Sequence, residues 1–332
     1  MVCSTLGCCY QAVRVRKDMS DPRILVLGAG GIGGYFGGRL VEAGADVTFL
    51  VREGRRDLLK RRGLRIESQF GNVELDVRTA VASDVGPDYD VVILTCKAYD
   101  LEDAVKTIAP ALAASGVVLP LLNGVAHIDI LNEAFGRNRV MGGSARIQVT
   151  LTEDGIVRQL DDWRAITFGE QSGEVTKRVD TLRVLFEAAR GVEVHAVSDI
   201  MQRMWEKLVH LATAAAMTCL MRANVGEIVR TPDGGAIFLK LLGTVSAIAA
   251  ARGYRPSSEF LDAYRRTFSQ PDSLYTTSML RDIERRGRTE VDHIIGFMLR
   301  MAEGTGVDVL TLLLAYTHIK AYEQRLAAER FA

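Results

Sequence analysis

Apolar positions fall in short unbroken runs in the first part of the chain and recur at three- and four-residue intervals in the rest. Ile24 to Leu27 is the first such run and predicts a buried β-strand. A glycine-rich turn follows it, and Tyr35 to Ala43 predicts an amphipathic helix. A second β-run, Asp46 to Val51, comes after Gly44, placed as a helix C-cap, and completes a β-α-β unit. Val73 to Val77 and Asp90 to Thr95 read as further strands, with a Gly86-Pro87 turn between them. Leu101 to Ala113 reads as a helix and Val117 to Leu122 as another buried strand. Strands alternating with helices predict a parallel, doubly wound sheet. From Met141 to Phe168 β-rich runs flank a Thr152-Glu-Asp-Gly155 turn, which predicts a more antiparallel portion. A helix, Glu174 to Ala189, and a short strand, Val192 to His195, complete this half.

From Ser198 onward the period is helical. Asp199 to Met221, Gly234 to Ala251, Ser258 to Phe268, Glu290 to Glu303 and Val309 to Ala328 carry helical apolar spacing. Thr231-Pro-Asp, Tyr254-Arg-Pro and Gly304-Thr-Gly separate them. The expected fold class is α/β plus all-α: a Rossmann-type dinucleotide-binding domain over 21–197 and an all-helical substrate domain over 198–330. Residues 1–20 are expected to form a disordered N-terminal extension, and Met19, just before the first strand, marks an alternative start.

The first β-α-β unit carries Gly28-Ala29-Gly30-Gly31-Ile32-Gly33. In that pattern Gly28 allows a tight turn, Gly30 lets backbone approach a pyrophosphate, and Gly33 lets the helix pack on its strand. Free N–H groups at the helix start then face the phosphates. An NAD site places an acidic residue about 20 residues beyond the first glycine. Here the second strand ends in Arg52, with Arg55 and Arg56 just after, and a guanidinium there suits the 2′-phosphate of NADPH. Glu53 keeps NAD open. Lys60, Arg61 and Arg62 read as a solvated basic face.

Composition narrows the function class. The 332 residues carry 41 basic and 41 acidic side chains, a balance that steers the chain toward neither nucleic acid nor an anionic membrane. The longest apolar stretch, Leu208 to Met221, is short for a membrane span and reads as a buried helix. Five cysteines without a C-x-x-C pair make no disulfide framework and no zinc motif, so a reducing cytoplasm is expected.

Lys97 and Asn123 each follow a buried strand at the carboxyl end of the sheet, where open α/β sheets bind ligands. Lys207 sits on a largely apolar helix, in Met204-Trp-Glu-Lys-Leu-Val-His-Leu-Ala. Desolvation lowers the pKa of such a lysine and a neighbouring carboxylate raises it; the balance can leave an ammonium ready to donate to a carbonyl oxygen. Glu290, at a helix start, is a candidate partner, with a dipole-stabilised carboxylate capped by Thr289 as the plainer alternative. His210 and His293 lie three residues beyond Lys207 and Glu290. Without carboxylate ligand spacing they read as packed imidazoles, and no metal is expected.

These blocks resemble the ketopantoate reductase (2-dehydropantoate 2-reductase) family from Arg23 to about Arg325. The matching pieces are Gly28 to Gly33, Arg52, Leu94-Thr-Cys-Lys-Ala98, Asn123-Gly124, Trp205-Glu-Lys-Leu208, Thr277-Ser-Met-Leu-Arg-Asp282 and Thr289-Glu-Val-Asp292 with Gly296-Phe297. The resemblance implies a C-terminal helical domain of the 6-phosphogluconate-dehydrogenase-like type. It also implies that Lys207 is the general acid that protonates the substrate oxygen as NADPH delivers hydride to the 2-oxo carbon. By the same resemblance Lys97 and Asn123 position substrate and nicotinamide, Ser278 holds the substrate carboxylate, and Glu290 binds on the cofactor side and orients Lys207.

Four positions depart from the family pattern. Leu211, Ala215 and Tyr275 stand where the family has substrate-hydroxyl asparagines, and Asp100 replaces a glutamine. The expected reaction is therefore NADPH-dependent reduction of a 2-oxo acid, with ketopantoate, the precursor of pantothenate, as the first substrate. A more apolar 2-oxo acid is the alternative, and a non-catalytic NADPH-binding redox sensor is the alternative from another class. The expected partner is a small 2-oxo acid, and a homodimer is compatible with the sequence.

Overall fold

The computed structural model describes residues 21–330, so the expected extension over 1–20 lies outside the described residues. In chain order the first part comprises β1 (Ile24–Leu27), α1 (Gly31–Glu42), β2 (Val47–Leu50), α2 (Glu53–Arg62), β3 (Leu64–Glu67), β4 (Val73–Leu75), β5 (Arg78–Ala80), β6 (Tyr89–Leu94), α3 (Leu101–Ile108), β7 (Leu112–Pro120), α4 (Ala126–Phe135), β8 (Met141–Leu151), β9 (Val157–Glu170), α5 (Lys177–Glu187) and β10 (Glu193–Ala196). Helices follow: α6 (Ile200–Met221), α7 (Val225–Val229), α8 (Gly234–Ala251), α9 (Ser258–Thr267), α10 (Ser278–Glu284), α11 (Val291–Ala302) and α12 (Leu310–Ala327).

The first sheet is five-stranded and parallel, in the order β5-β2-β1-β6-β7. A second sheet runs β10-β9-β3-β4, with β8 paired antiparallel to β9. Helix α1 lies between the two sheets. That position explains a sequence that would be a poor helix in water, because glycine costs a helix interior about 1 kcal/mol per residue. A Cβ at Gly37 would come within 2.8 Å of Phe49 on the first sheet, one at Gly34 within 2.6 Å of Val157, and one at Gly38 within 2.7 Å of Ile66 on the second. The missing side chains let both sheets close on one helix.

Several boundaries differ from the sequence expectation. Helix α1 begins at Gly31 and not at Tyr35, because packing on two faces holds residues whose own propensity is low. The helix expected over Leu101 to Ala113 stops at Ile108; Pro110 lies in a short 3-10 turn, and β7 already starts at Leu112. Val73 to Leu75 is a strand, but it pairs antiparallel with β3 in the second sheet, and β5 forms the edge of the first.

Helix α6 is the axis of the helical part. Val209, Ala212, Thr213, Ala214, Ala215, Ala216 and Met217 are all buried, as expected for a helix covered on every side. It packs on α8, α10, α11 and α12, and its first turns also meet β8 and β9. Helix α8 is long and apolar enough to cross a membrane by composition, and it buries Phe238, Leu241, Leu242, Val245, Ile248 and Ala249 against its neighbours.

Candidate functional site

The site is built where the carboxyl ends of β1, β6 and β7 face α6, α10 and α11. Gly28 leaves β1 with φ +95°, and its N–H bonds to the Leu50 carbonyl at 2.9 Å, which extends the β1–β2 ladder to the start of the turn. A Cβ at Gly33 would stand 2.2 Å from the Gly28 carbonyl oxygen, so this position demands glycine. At Gly30 a Cβ would meet nothing within 4 Å, and the loop opens outward there. Because α1 starts at Gly31, the N–H groups of Gly31, Ile32 and Gly33 occupy the first turn, which lacks intrahelical acceptors. A pyrophosphate fits this cradle.

The arginines that follow β2 do different work. Arg52 is the residue before α2, 93% exposed, with its guanidinium 3.9 Å from Asp100 and free to meet a phosphate. Arg55 instead donates to the Ala29 carbonyl at 2.9 Å and to the Gly155 carbonyl at 3.1 Å, tying the glycine loop to the β8–β9 turn. Arg56 faces Asp84 at 3.7 Å. Of the three, Arg52 alone has the exposure a cofactor contact requires. Asp100 also stands 3.8 Å from Arg288, whose guanidinium lies 4.0 Å over the Tyr99 ring.

Lys97 and Glu290 join the two halves. The Lys97 Nζ donates at 3.3 Å to Glu290 and at 3.3 Å to Asp282, while the Ala98 N–H donates to the other Glu290 oxygen at 3.0 Å. Burial alone would lower the pKa of Lys97, but the Glu290 and Asp282 carboxylates outweigh it and the net shift is upward. Glu290 therefore bonds Lys97, and its carboxylate also favours the charged form of Lys207 through space.

Lys207 reaches from α6 to β8, where its Nζ donates to the Ala145 carbonyl at 2.6 Å. Burial, then the like charge of Arg146, lowers its pKa to about 8, against an opposing pull from Glu290. The ammonium is a stronger acid than an ordinary lysine, and it keeps further donors for a ligand.

Asn123, Leu211, Ala215, Ser278 and Glu290 line one small pocket beside it, together with Asp282 and the apolar Met279 and Ile294. Tyr275 stands apart from this lining. Its hydroxyl is 3.0 Å from His210 Nε2, and the imidazole stacks on Tyr264 with 4.3 Å between centroids. Burial first, with the charges of Lys207 and Arg146, lowers the pKa of His210 to about 3, so the ring is neutral. Among the described residues no group of three or more His, Cys, Asp or Glu is placed to hold a metal ion. Sequence patterns gave no signal for Arg146, for the Ala145 carbonyl, or for His127, a fully buried imidazole near Lys207 and His293.

Two family models match the chain: ketopantoate reductase PanE/ApbA over residues 24–173, and ketopantoate reductase PanE/ApbA C terminal over residues 199–323. A Bacillus subtilis protein named uncharacterized oxidoreductase YkpB is 34% identical, covering 91% of this chain and 99% of that protein. A 2-dehydropantoate 2-reductase of Archaeoglobus fulgidus is 32% identical, covering 87% and 94%. A PanE/ApbA family ketopantoate reductase from Ralstonia eutropha superposes with a TM-score of 0.82 at 25% identity, covering 92% and 99%. D-mandelate dehydrogenase, solved with NADH and anilino(oxo)acetate, shares the fold with a TM-score of 0.80 at 21% identity. The chain belongs to the ketopantoate reductase family and is an oxidoreductase.

Proposed function

We propose that this member of the ketopantoate reductase family uses NADPH to reduce the 2-oxo group of a small 2-oxo acid, with ketopantoate as the first candidate substrate. One observation carries the proposal: a buried lysine of lowered pKa, Lys207, lies on the same helix as Leu211 and Ala215, which line a small recess with Asn123, Ser278 and Glu290. The loop, the first-turn N–H groups of α1 and Arg52 suit the cofactor's phosphates. When bound, the cofactor supplies a hydride to carbon 2 of the substrate. Lys207 donates its proton to the carbonyl oxygen, and its bond to the Ala145 carbonyl keeps the resulting amine in place. Asn123 and the Lys97–Glu290 pair frame the recess.

A more apolar 2-oxo acid is the second candidate. Leu211 and Ala215 offer a substrate hydroxyl no partner, and the Tyr275 hydroxyl is already engaged with His210. An unpaired buried hydroxyl costs about 1–3 kcal/mol. Ketopantoate should accordingly be turned over more slowly than its analogue lacking the hydroxyl, by roughly 5- to 150-fold in kcat/KM. The test is NADPH oxidation by the purified protein across 2-oxo acids that include both compounds. A tenfold preference for ketopantoate would restore a hydroxyl-reading pocket and a place in pantothenate synthesis. Oxidation with no 2-oxo acid would remove the proposal. The free thiols of Cys96 and Cys219 support a reducing compartment, the cytoplasm.

The pH dependence follows from Lys207. It must carry a proton to act; burial first, then the charge of Arg146, against the opposing pull of Glu290, brings its pKa to about 8, and His127 and His210 nearby are neutral. Activity is thus present below pH 8 and lost as pH rises through it. A kcat/KM profile that stays flat to pH 10 would contradict this role.

A further inference from the structure

Between α9 and α10 the chain runs without helix or strand, and this connection carries Tyr275 and leads into Ser278. Its backbone is pinned to the start of α7: the Val225 N–H donates to the Tyr275 carbonyl at 3.1 Å and the Gly226 N–H to the Ser273 carbonyl at 2.9 Å. A Cβ at Gly226 would stand 2.6 Å from the Pro271 carbonyl oxygen, so this close approach demands glycine.

Thr277 ties the end of the connection to α6. Its hydroxyl oxygen accepts from the Leu280 N–H at 3.2 Å, capping α10, and lies 3.0 Å from the Thr218 Oγ1. Thr218 donates its own hydrogen to the Ala214 carbonyl at 2.8 Å. The order of donors is therefore fixed: the Thr277 hydroxyl donates to Thr218, and Thr218 donates to Ala214. Both threonines are buried, where such bonds are stronger than in water and an unmade one is costly. Thr218 also shares a stripe of α6 with the site residues, because Lys207, Leu211, Ala215 and Thr218 follow at intervals of four, four and three. One helix thus holds the proton donor, part of the apolar lining of the recess and the point to which its Thr277–Met279 wall is fastened.

The polar lining of the recess is Asn123, Thr277, Ser278, Asp282 and Glu290. Asp282 and Glu290 repel a carboxylate, and the Thr277 hydroxyl is spent on Thr218. Ser278 is exposed, and among the described residues no group bonds its hydroxyl. It is the hydroxyl left to receive a substrate carboxylate, in agreement with the family resemblance.

We propose that Thr218 is a positioning residue that sets Ser278 for the substrate's carboxylate. Thr218 touches no substrate and acts through Thr277, the residue directly before Ser278. Without the Thr218 oxygen the buried Thr277 hydroxyl has lost its acceptor, and the wall shifts toward another partner and carries Ser278 with it. The inference rests on the reductase reading.

The test compares Thr218→Val, which removes the hydroxyl and keeps the branched shape, with Thr218→Ser, which keeps the hydroxyl, and with Ser278→Ala. With the best 2-oxo acid found, Ser278→Ala should raise KM by roughly tenfold to a hundredfold, the loss of a hydrogen bond to a charged group. Thr218→Val should raise it by roughly threefold to tenfold, and Thr218→Ser should stay within about twofold of the unaltered chain. Both kcat and the Kd for NADPH, the latter read by fluorescence, should stay within about twofold in the Thr218 variants. Lys207 and the glycine loop are held by other bonds. In the Ser278→Ala background Thr218→Val should add nothing, because residues that act as one unit are not additive. An unchanged KM in Thr218→Val, an equal loss in Thr218→Ser, or additive losses in the double variant would overturn the positioning role and leave the reductase reading standing. An unchanged KM in Ser278→Ala would remove the seat that Thr218 serves, and the role with it. If the unaltered chain oxidises NADPH with none of the 2-oxo acids, the reductase reading itself falls and takes the inference with it.

Discussion

Replacing Lys207 by alanine will lower kcat by roughly a hundredfold or more while the affinity for NADPH stays within a few fold. A hundredfold loss corresponds to about 2.7 kcal/mol of transition-state stabilisation, the range expected when a positioned acid is removed. The separation of the two effects follows from geometry. Lys207 is held by the Ala145 carbonyl of β8, whereas the glycine loop is tied by Arg55 and anchored to β2 by the Gly28 to Leu50 bond, which do not involve it. Stopped-flow turnover and a fluorescence titration of cofactor, made on the same variant, decide the matter. Near-normal kcat would remove Lys207 from the chemistry, and lost cofactor binding would make it a structural residue.

The second large effect concerns the cofactor. Arg52→Ala should weaken NADPH by roughly tenfold to a hundredfold and NADH by much less, because a charge-assisted contact contributes about 1.5–3 kcal/mol. Its exposure and the nearby Asp100 carboxylate, 3.9 Å away, favour the lower end of that range. Paired titrations with the two cofactors give the ratio directly. Equal losses, or a preference of the unaltered chain for NADH, would reassign Arg52 to the solvated face.

Local pattern carried much of the fold. The run Ile24 to Leu27, the glycine turn and the helical spacing after Ser198 each depend on neighbours in sequence, and each element appears in the structure near its expected place. What the pattern could not convey was tertiary. The start of α1 at Gly31 depends on two sheets closing on one helix, and the short strands β3 and β5 take their identity from partners far along the chain. The site divides in the same way. Asn123, Leu211, Ala215, Ser278 and Glu290 converge on one recess. The preference of Glu290 for Lys97 over Lys207, and the engagement of the Tyr275 hydroxyl by His210, are matters of side-chain geometry between elements. In the sequence Arg55 is one of the guanidinium groups set beside Arg52 for a 2′-phosphate; in the fold it braces the glycine loop.

The central claim is that hydride passes from the cofactor to carbon 2 of a 2-oxo acid while Lys207 protonates the oxygen. It is tested most directly by turnover with NADPH deuterated at C4 of the nicotinamide, each face in turn, followed by mass spectrometry of the product. The expected product is a 2-hydroxy acid carrying one deuterium on carbon 2 from one of the two labelled faces. A product free of label from both faces would contradict it.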